Sequence, residues 1–209
     1  MEPINIVDFR SFTLVDPKQK IITRDVSQAK TIQRIVFHCT DASGWSPDKL
    51  SHFFVEEKGY PICGYHYYVT GQAVYHMVGE NILTYHAAPF NKSSVAFSID
   101  YHASHDEPLH IAIDPAVMKN AYAMATHLCL KFKVPPSMLV GHRELPMTGF
   151  FMKQDHKVLR KICPGMAIDL DIFRFEVTKY MQEALNVVQD GVFGPKTLQA
   201  LSSYQVWVE

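Results

Sequence analysis

The sequence predicts an α/β fold: a central mixed β-sheet flanked by helices, with a small helical appendage at the C-terminus. Three observations carry this. Short apolar, β-rich runs end in polar residues, as in Arg34-Ile35-Val36-Phe37 before His38 and Met138-Leu139-Val140 before Gly141-His142. Between such runs Asp114 to Lys131 places Val117, Ala121, Met124, Ala125 and Leu128 at helical spacing. Beyond residue 177 the pattern changes register, toward short helical pieces interrupted by Asp190-Gly191 and Gly194-Pro195. Strand ends in α/β folds are where sites are built, which directs attention to His38 and His142.

The elements follow in order. Residues 1–30 read as an N-terminal extension packed on the main domain, with a strand over Ile4 to Val15 and a turn at Asp16-Pro17-Lys18. The main domain spans 31–172. After its first strand, Ser46-Pro47 predicts an N-cap with proline at the first helical position, and the helix runs toward Lys58 before Gly59. Tyr65 to Val69 and Ala73 to Met77 are strand-like and joined by Thr70-Gly71-Gln72, a hairpin; Val95 to Tyr101 is another strand. His102, His105 and His110 lie among acidic residues at spacings that fit no common ligand motif, so 102–113 reads as a solvated loop. Asp114-Pro115 opens the long helix, and Pro135-Pro136 precedes the strand-like Met138 to Val140. Residues 145–160, with Pro146, Gly149, Phe150 and Phe151, read as a loop. Residues 177–209 form a short helical segment.

Composition bounds the chemistry. With 209 residues there is room for one full domain and an appendage. A formal net charge of −1 gives no electrostatic reason to expect nucleic acid or an anionic membrane as partner. No segment reaches the ~18 apolar residues of a membrane span. Met1-Glu2-Pro3-Ile4-Asn5 lacks the basic and apolar regions of a secretory signal, so the expectation is synthesis in the cytoplasm. Cys39, Cys63, Cys129 and Cys163 are scattered, unlike a disulfide framework. Cys63 and Cys129 read as packing residues, and Cys39 should face away from His38 across its strand.

Three segments carry candidate chemistry: Phe37-His38-Cys39-Thr40, Gly141-His142-Arg143-Glu144 and Lys161-Ile162-Cys163-Pro164-Gly165. They offer two imidazoles and a thiol from distant parts of the chain, with a lysine two residues from the cysteine. A catalytic zinc site needs three protein ligands and an open fourth position, whereas a structural finger uses closely spaced pairs. The lysine adds a cation where negative charge builds up in a hydrolytic transition state. The plainer alternative makes the histidines hydrogen-bonded core residues and Cys163 a small buried hydrophobe.

Read in order, these segments together with Gly64-Tyr65-His66-Tyr67, Tyr85-His86-Ala87-Ala88 and Asn91-Lys92-Ser93-Ser94-Val95-Ala96-Phe97 resemble the zinc-dependent N-acetylmuramoyl-L-alanine amidases. The match is to the phage-lysozyme type, related to the peptidoglycan-recognition proteins, and runs from near Ile32 to near Asp169. The resemblance implies a zinc cleft at one sheet edge, with Zn2+ on His38, His142 and Cys163. It implies Lys161 and Tyr65 as catalytic residues, and His86 and Asn91 as residues lining the substrate groove. The substrate implied is peptidoglycan, a glycan strand with its stem peptide, cut at the amide between N-acetylmuramic acid and L-alanine. Such an endolysin-like enzyme would act on the cell wall after release or dedicated export. A cytosolic muropeptide-recycling amidase and a non-catalytic peptidoglycan-binding module stay open as alternatives.

Two departures qualify the resemblance. Some relatives use a glutamate in the strand after the Asn-x-x-Ser motif; here that position is Ser98, with Asp100 two residues on and able to share its face. The tyrosine–lysine arrangement is therefore expected in place of a glutamate mechanism, with Asp100 either an acid–base group or a hydrogen-bonded strand-end carboxylate. In the tail, Asp190-Gly191-Val192-Phe193-Gly194-Pro195-Lys196-Thr197 resembles the signature of the helical peptidoglycan-binding module, but the segment is short and has little core of its own.

Overall fold

The apolar run before His38 becomes an interior strand of the sheet, next to one edge. The computed structural model describes residues 4–27, 31–103, 112–146 and 162–205, together with the backbone of 150–152 and 158–160. Lys161, His105 and His110 lie outside the described residues. The strands are β1 (Ile6–Asp8), β2 (Arg34–Cys39), β3 (Tyr67–Val69), β4 (Val74–His76), β5 (Ser94–Ile99) and β6 (Leu139–Gly141). Among the described residues these form one mixed sheet in the order β1-β4-β3-β5-β2-β6. Parallel partners β5 and β6 flank β2, and β3 pairs antiparallel with β4 as the expected hairpin.

Ile35, Val36 and Phe37 are all fully buried, as an interior parallel strand covered on both faces requires. The pleat then sorts side chains. Ile35, Phe37 and Cys39 join Val95, Phe97, Ile99, Tyr67 and Val69 in the main core, beneath α2 (Pro115–Phe132) and α3 (Leu170–Ala184). Phe37 stacks between Phe97 and Phe173, with ring centroids 4.7 Å away on either side. His38 belongs to the alternate set, in register with Ser98, which is in register with Tyr68. It therefore points away from the two long helices, and Cys39 packs into the core opposite, as alternation demands.

The helix starts follow their caps. Ser46 Oγ accepts the Lys49 N–H at 3.1 Å at the head of α1 (Pro47–His52), and Asp114 accepts the Ala116 N–H at 2.8 Å before α2. Four expectations are revised. The run toward Lys58 is not one α-helix: after His52 it continues as a π-helical turn, Phe53–Glu57. The N-terminal strand stops at Asp8, because the Thr13 N–H closes back on the Phe9 carbonyl at 3.1 Å. Pro136–Met138 is a single 3-10 turn, so the strand that follows begins at Leu139. Residues 145–160 are not all loop: β7 (Phe150–Met152) and β8 (Val158–Arg160) pair antiparallel, both being short β-prone runs. Among the described residues no helix is long and apolar enough to cross a membrane.

The tail shares the main core. Phe173, Val177 and Met181 of α3 and Leu201 of α4 (Pro195–Ser203) are buried with the sheet and α2 residues. Between them Gln182, 1% exposed, gathers the turn. Its amide donates to Asp190 Oδ1 (2.7 Å), the Val192 carbonyl (3.0 Å) and Thr197 Oγ1 (3.2 Å), and its oxygen accepts the Gly191 N–H (2.9 Å). The Asp-Gly-x-Phe-Gly-Pro-x-Thr signature thus has a folding explanation. Gly191 has φ +72°, and a Cβ there would fall 2.1 Å from the Phe175 ring, so a side chain would be strained and would have to displace that ring.

Candidate metal centre

His38 is the penultimate residue of β2, and His142 opens a 3-10 turn (His142–Glu144) directly after β6, so pairing of β2 with β6 sets the two imidazoles side by side. Their ring centroids are 4.6 Å apart. Cys163 arrives from the Ile162–Gly165 turn, held by the Arg143 N–H donating to the Cys163 carbonyl at 2.9 Å and by the Arg143 guanidinium reaching the Ile168 carbonyl at 2.6 Å. Gly141 permits the approach: a Cβ there would meet Leu170 Cδ1 at 2.6 Å and Pro164 Cδ at 3.0 Å.

One ligand atom from each of His38, His142 and Cys163 lies within 4.8 Å of the others. Bond lengths of zinc to nitrogen and sulfur imply ligand separations of about 3.3–3.8 Å in a tetrahedron. His38 Nδ1 stands 3.5 Å from Cys163 Sγ, inside that range. The donor set, two imidazole nitrogens and a sulfur, suits a borderline-soft divalent ion. The residues present therefore fit a metal.

The proton positions agree. Ser94 Oγ donates to the Phe90 carbonyl at 2.8 Å, which leaves it to accept from His86 Nε2 at 3.2 Å. His86 Nδ1 is then an acceptor and takes the Nε2 proton of His38 at 3.3 Å. That leaves the lone pair of His38 on Nδ1, the nitrogen facing Cys163. Burial holds the His86 pKa well below the ordinary histidine value, which keeps this ring neutral and accepting. A ligand histidine whose second nitrogen is fixed by a hydrogen bond has its tautomer and orientation set.

The three residues line one side of a cleft of about 520 Å3, with Phe53, Tyr60, Tyr65 and Tyr85 among the rest of its wall. Tyr65 packs its ring 4.9 Å from that of His38. Burial, reinforced by Cys163, raises its pKa well above the usual tyrosine value, so its hydroxyl stays protonated at neutral pH. His86 also lines the cleft. Asn91 is not among the lining residues: its Oδ1 accepts the backbone N–H groups of His86 (3.2 Å) and Ala87 (2.6 Å) from behind. Asp100 accepts the Gly44 N–H at 2.9 Å and lines a separate, larger cavity of about 970 Å3 that contains none of the three ligands. The second of its two expected roles, a strand-end carboxylate, matches that placement. Ser98 is fully buried, its Oγ without a hydrogen-bond partner among the described residues.

Sequence reasoning did not find Ser94 as the orienting group for His86, although it sits inside the quoted Asn91–Phe97 motif. It also gave no role to Tyr85, although that residue opens the quoted Tyr85–Ala88 motif, and missed Tyr60 and Lys58 on the cleft wall, which no spacing marks.

Fold and site together define a class, an α/β domain with two histidines and a cysteine gathered at the ends of parallel strands, a cluster able to hold a metal. The family model described as N-acetylmuramoyl-L-alanine amidase matches residues 28–166, and the chain belongs to that family. It is accordingly a peptidoglycan amidase. Among solved structures, the chain is similar to the N-acetylmuramoyl-L-alanine amidase LysC from Clostridium intestinale URNW, with a TM-score of 0.58 and 18% identity over 89% of this chain and 100% of that one. It is similar to the Ph2119 endolysin from Thermus scotoductus MAT2119 bacteriophage Ph2119, with a TM-score of 0.58 and 20% identity over 83% and 99%. It is also similar to Drosophila peptidoglycan recognition protein SD, with a TM-score of 0.59 and 16% identity over 79% and 91%. At such identities the likeness establishes the fold. Among curated proteins, none matches the sequence significantly.

Proposed function

We propose that this amidase acts as an endolysin-like zinc enzyme on cell-wall peptidoglycan, with His38, His142 and Cys163 as the zinc ligands. Zinc in such a set supplies Lewis acidity and activates water as a nucleophile near neutral pH. Everything else is the work of the chain. His86, oriented by Ser94, holds the His38 ring and its tautomer. Tyr65, its ring packed beside that of His38, carries a protonated hydroxyl able to donate to oxygen as the amide carbonyl becomes tetrahedral. Lys161, assigned by its place in Lys-x-Cys, supplies positive charge toward that oxygen. Loss of one such donor typically lowers turnover ~10²–10³-fold.

The aromatic wall of Phe53, Tyr60 and Tyr85 offers flat apolar faces for a sugar and peptide backbone, with His86 on the same wall and Asn91 bracing it. Residues 1–30 and 177–209 are read as additions to an amidase domain at 31–172, the second a short segment resembling wall-binding modules. The single observation that carries the proposal is the convergence of the three ligand atoms within 4.8 Å at the cleft. A purely binding role for the module is disfavoured by the same observation, because Cys163 completes the set.

Mass spectrometry of products from purified peptidoglycan tests it. Free glycan strands with intact stem peptides beginning at L-alanine are expected, abolished by a chelator and restored by zinc. Cleavage between sugars would contradict it.

A further inference from the structure

The N-terminal segment begins before the residues matched by the family model, 28–166, yet it reaches the support of the metal centre. It runs along the sheet edge. β1 pairs with β4, Val15 bridges Ile62, Thr23 bridges Ile82, and the Arg24 N–H donates to the Asn81 carbonyl at 2.7 Å. The Arg24 side chain then turns inward. Its Nε donates to the Glu80 carbonyl at 2.8 Å, and its Nη1 donates to the carbonyls of Asn91 and Ser94, both at 2.7 Å. One guanidinium thereby ties the turn at Glu80 to the 3-10 turn Phe90–Ser93 and to Ser94 directly after it.

That turn is the base of the relay to His38. Its Phe90 carbonyl sets the Ser94 hydroxyl, Ser94 sets His86, and His86 sets His38, while Asn91 Oδ1 holds the backbone under His86. Planar arginine can serve carbonyls in several directions at once; a lysine ammonium is a point donor and cannot span them equally. Burial pulls the guanidinium pKa down to about 10, still charged at neutral pH.

We propose that Arg24 is a positioning residue for the metal centre: the N-terminal strap clamps the Phe90–Ser94 turn and through it fixes the His86–His38 geometry. This rests on the reading of His38, His142 and Cys163 as metal ligands. It assigns the strap a part in the chemistry of a site to which it contributes no ligand.

The test measures zinc affinity by chelator competition and the visible spectrum of the cobalt-substituted protein, in wild type, Arg24→Ala, Arg24→Lys and Thr13→Val. Thr13 Oγ1 donates to the Met77 carbonyl at 2.7 Å, so its loss loosens the strap without touching the Phe90–Ser94 turn. Arg24→Ala is expected to weaken zinc binding ~10-fold or more, the scale of outer-sphere supports, and to alter the cobalt spectrum. Arg24→Lys should fall between it and wild type, and it carries the test if the alanine variant does not fold. Thr13→Val should bind zinc as wild type does, whatever its thermal stability. Wild-type affinity and spectrum in both Arg24 variants would overturn the proposal, as would equal weakening in Thr13→Val. If wild-type protein binds no zinc, or Cys163→Ala keeps it, the metal reading itself fails, an outcome separable from the other two.

Discussion

Glu80 offers a sharp test of how the edge of the sheet is held to α2. Its side chain is 11% exposed, and Oε1 accepts from the Tyr67 hydroxyl and from Lys131 Nζ, the latter at 2.5 Å. Burial alone would raise the carboxyl pKa. The Lys131 and Tyr67 hydrogen bonds and the lysine charge outweigh it and hold the pKa at about 2, against an ordinary 4.5. A carboxyl depressed in the folded state stabilises it above the unfolded pKa, and that stabilisation is lost as pH falls through the folded value. The displacement corresponds to about 3 kcal/mol at pH 7, falling to roughly half of that at pH 3. In Glu80→Gln the charge is gone, and Lys131, whose side chain is 34% exposed, can turn to water. Urea unfolding of both proteins at pH 7, 4 and 3 should show a gap of about 2–3 kcal/mol that closes toward acid, since the amide keeps one accepting oxygen. A gap that stays constant from pH 7 to 3, or widens, would refute the reasoning.

The site and the packing around it yield further expectations. Tyr65→Phe and Lys161→Ala should each keep zinc and lose ~10²–10³-fold in turnover on a soluble muropeptide; loss of zinc from either would show a structural role. Gly141→Ala drives a methyl into Leu170 and Pro164, so it should cost about 1–3 kcal/mol in thermal or urea unfolding and loosen zinc at His142. Gln182→Ala removes four hydrogen bonds from the tail turn and should destabilise by about 2–3 kcal/mol, with new protease cleavage within 185–194. Unchanged protease resistance would mean that the turn holds without it.

Much of the frame was legible because single physical signals dominate there. The Ile35–Phe37 run is apolar throughout because β2 is covered on both faces, and α2 shows both its cap and its periodic face. His38, His142 and Cys163 stood out through residue type and the motifs around them, and the fold brings them together. The supports were less legible, since they depend on contacts between distant segments. Arg24 is one arginine in a stretch with no periodicity, and nothing local marks it as the partner of carbonyls near residues 80 and 91–94. The N-terminal strand was overextended for a similar reason: Phe9 to Thr13 has β-prone residues, but Thr13 closes a turn on Phe9. In the tail, the signature read as a turn and helix start, yet Gln182, which organises it, lies eight residues before Asp190.

The central claim is that one zinc ion is held by His38, His142 and Cys163 and that amide cleavage depends on it. Metal content by mass spectrometry, measured with amidase activity on the same samples of wild type, His38→Ala and Cys163→Ala, tests it most directly. One zinc per chain in wild type, and neither zinc nor activity in the variants, is the expected result. Full zinc content and full activity in Cys163→Ala would contradict it.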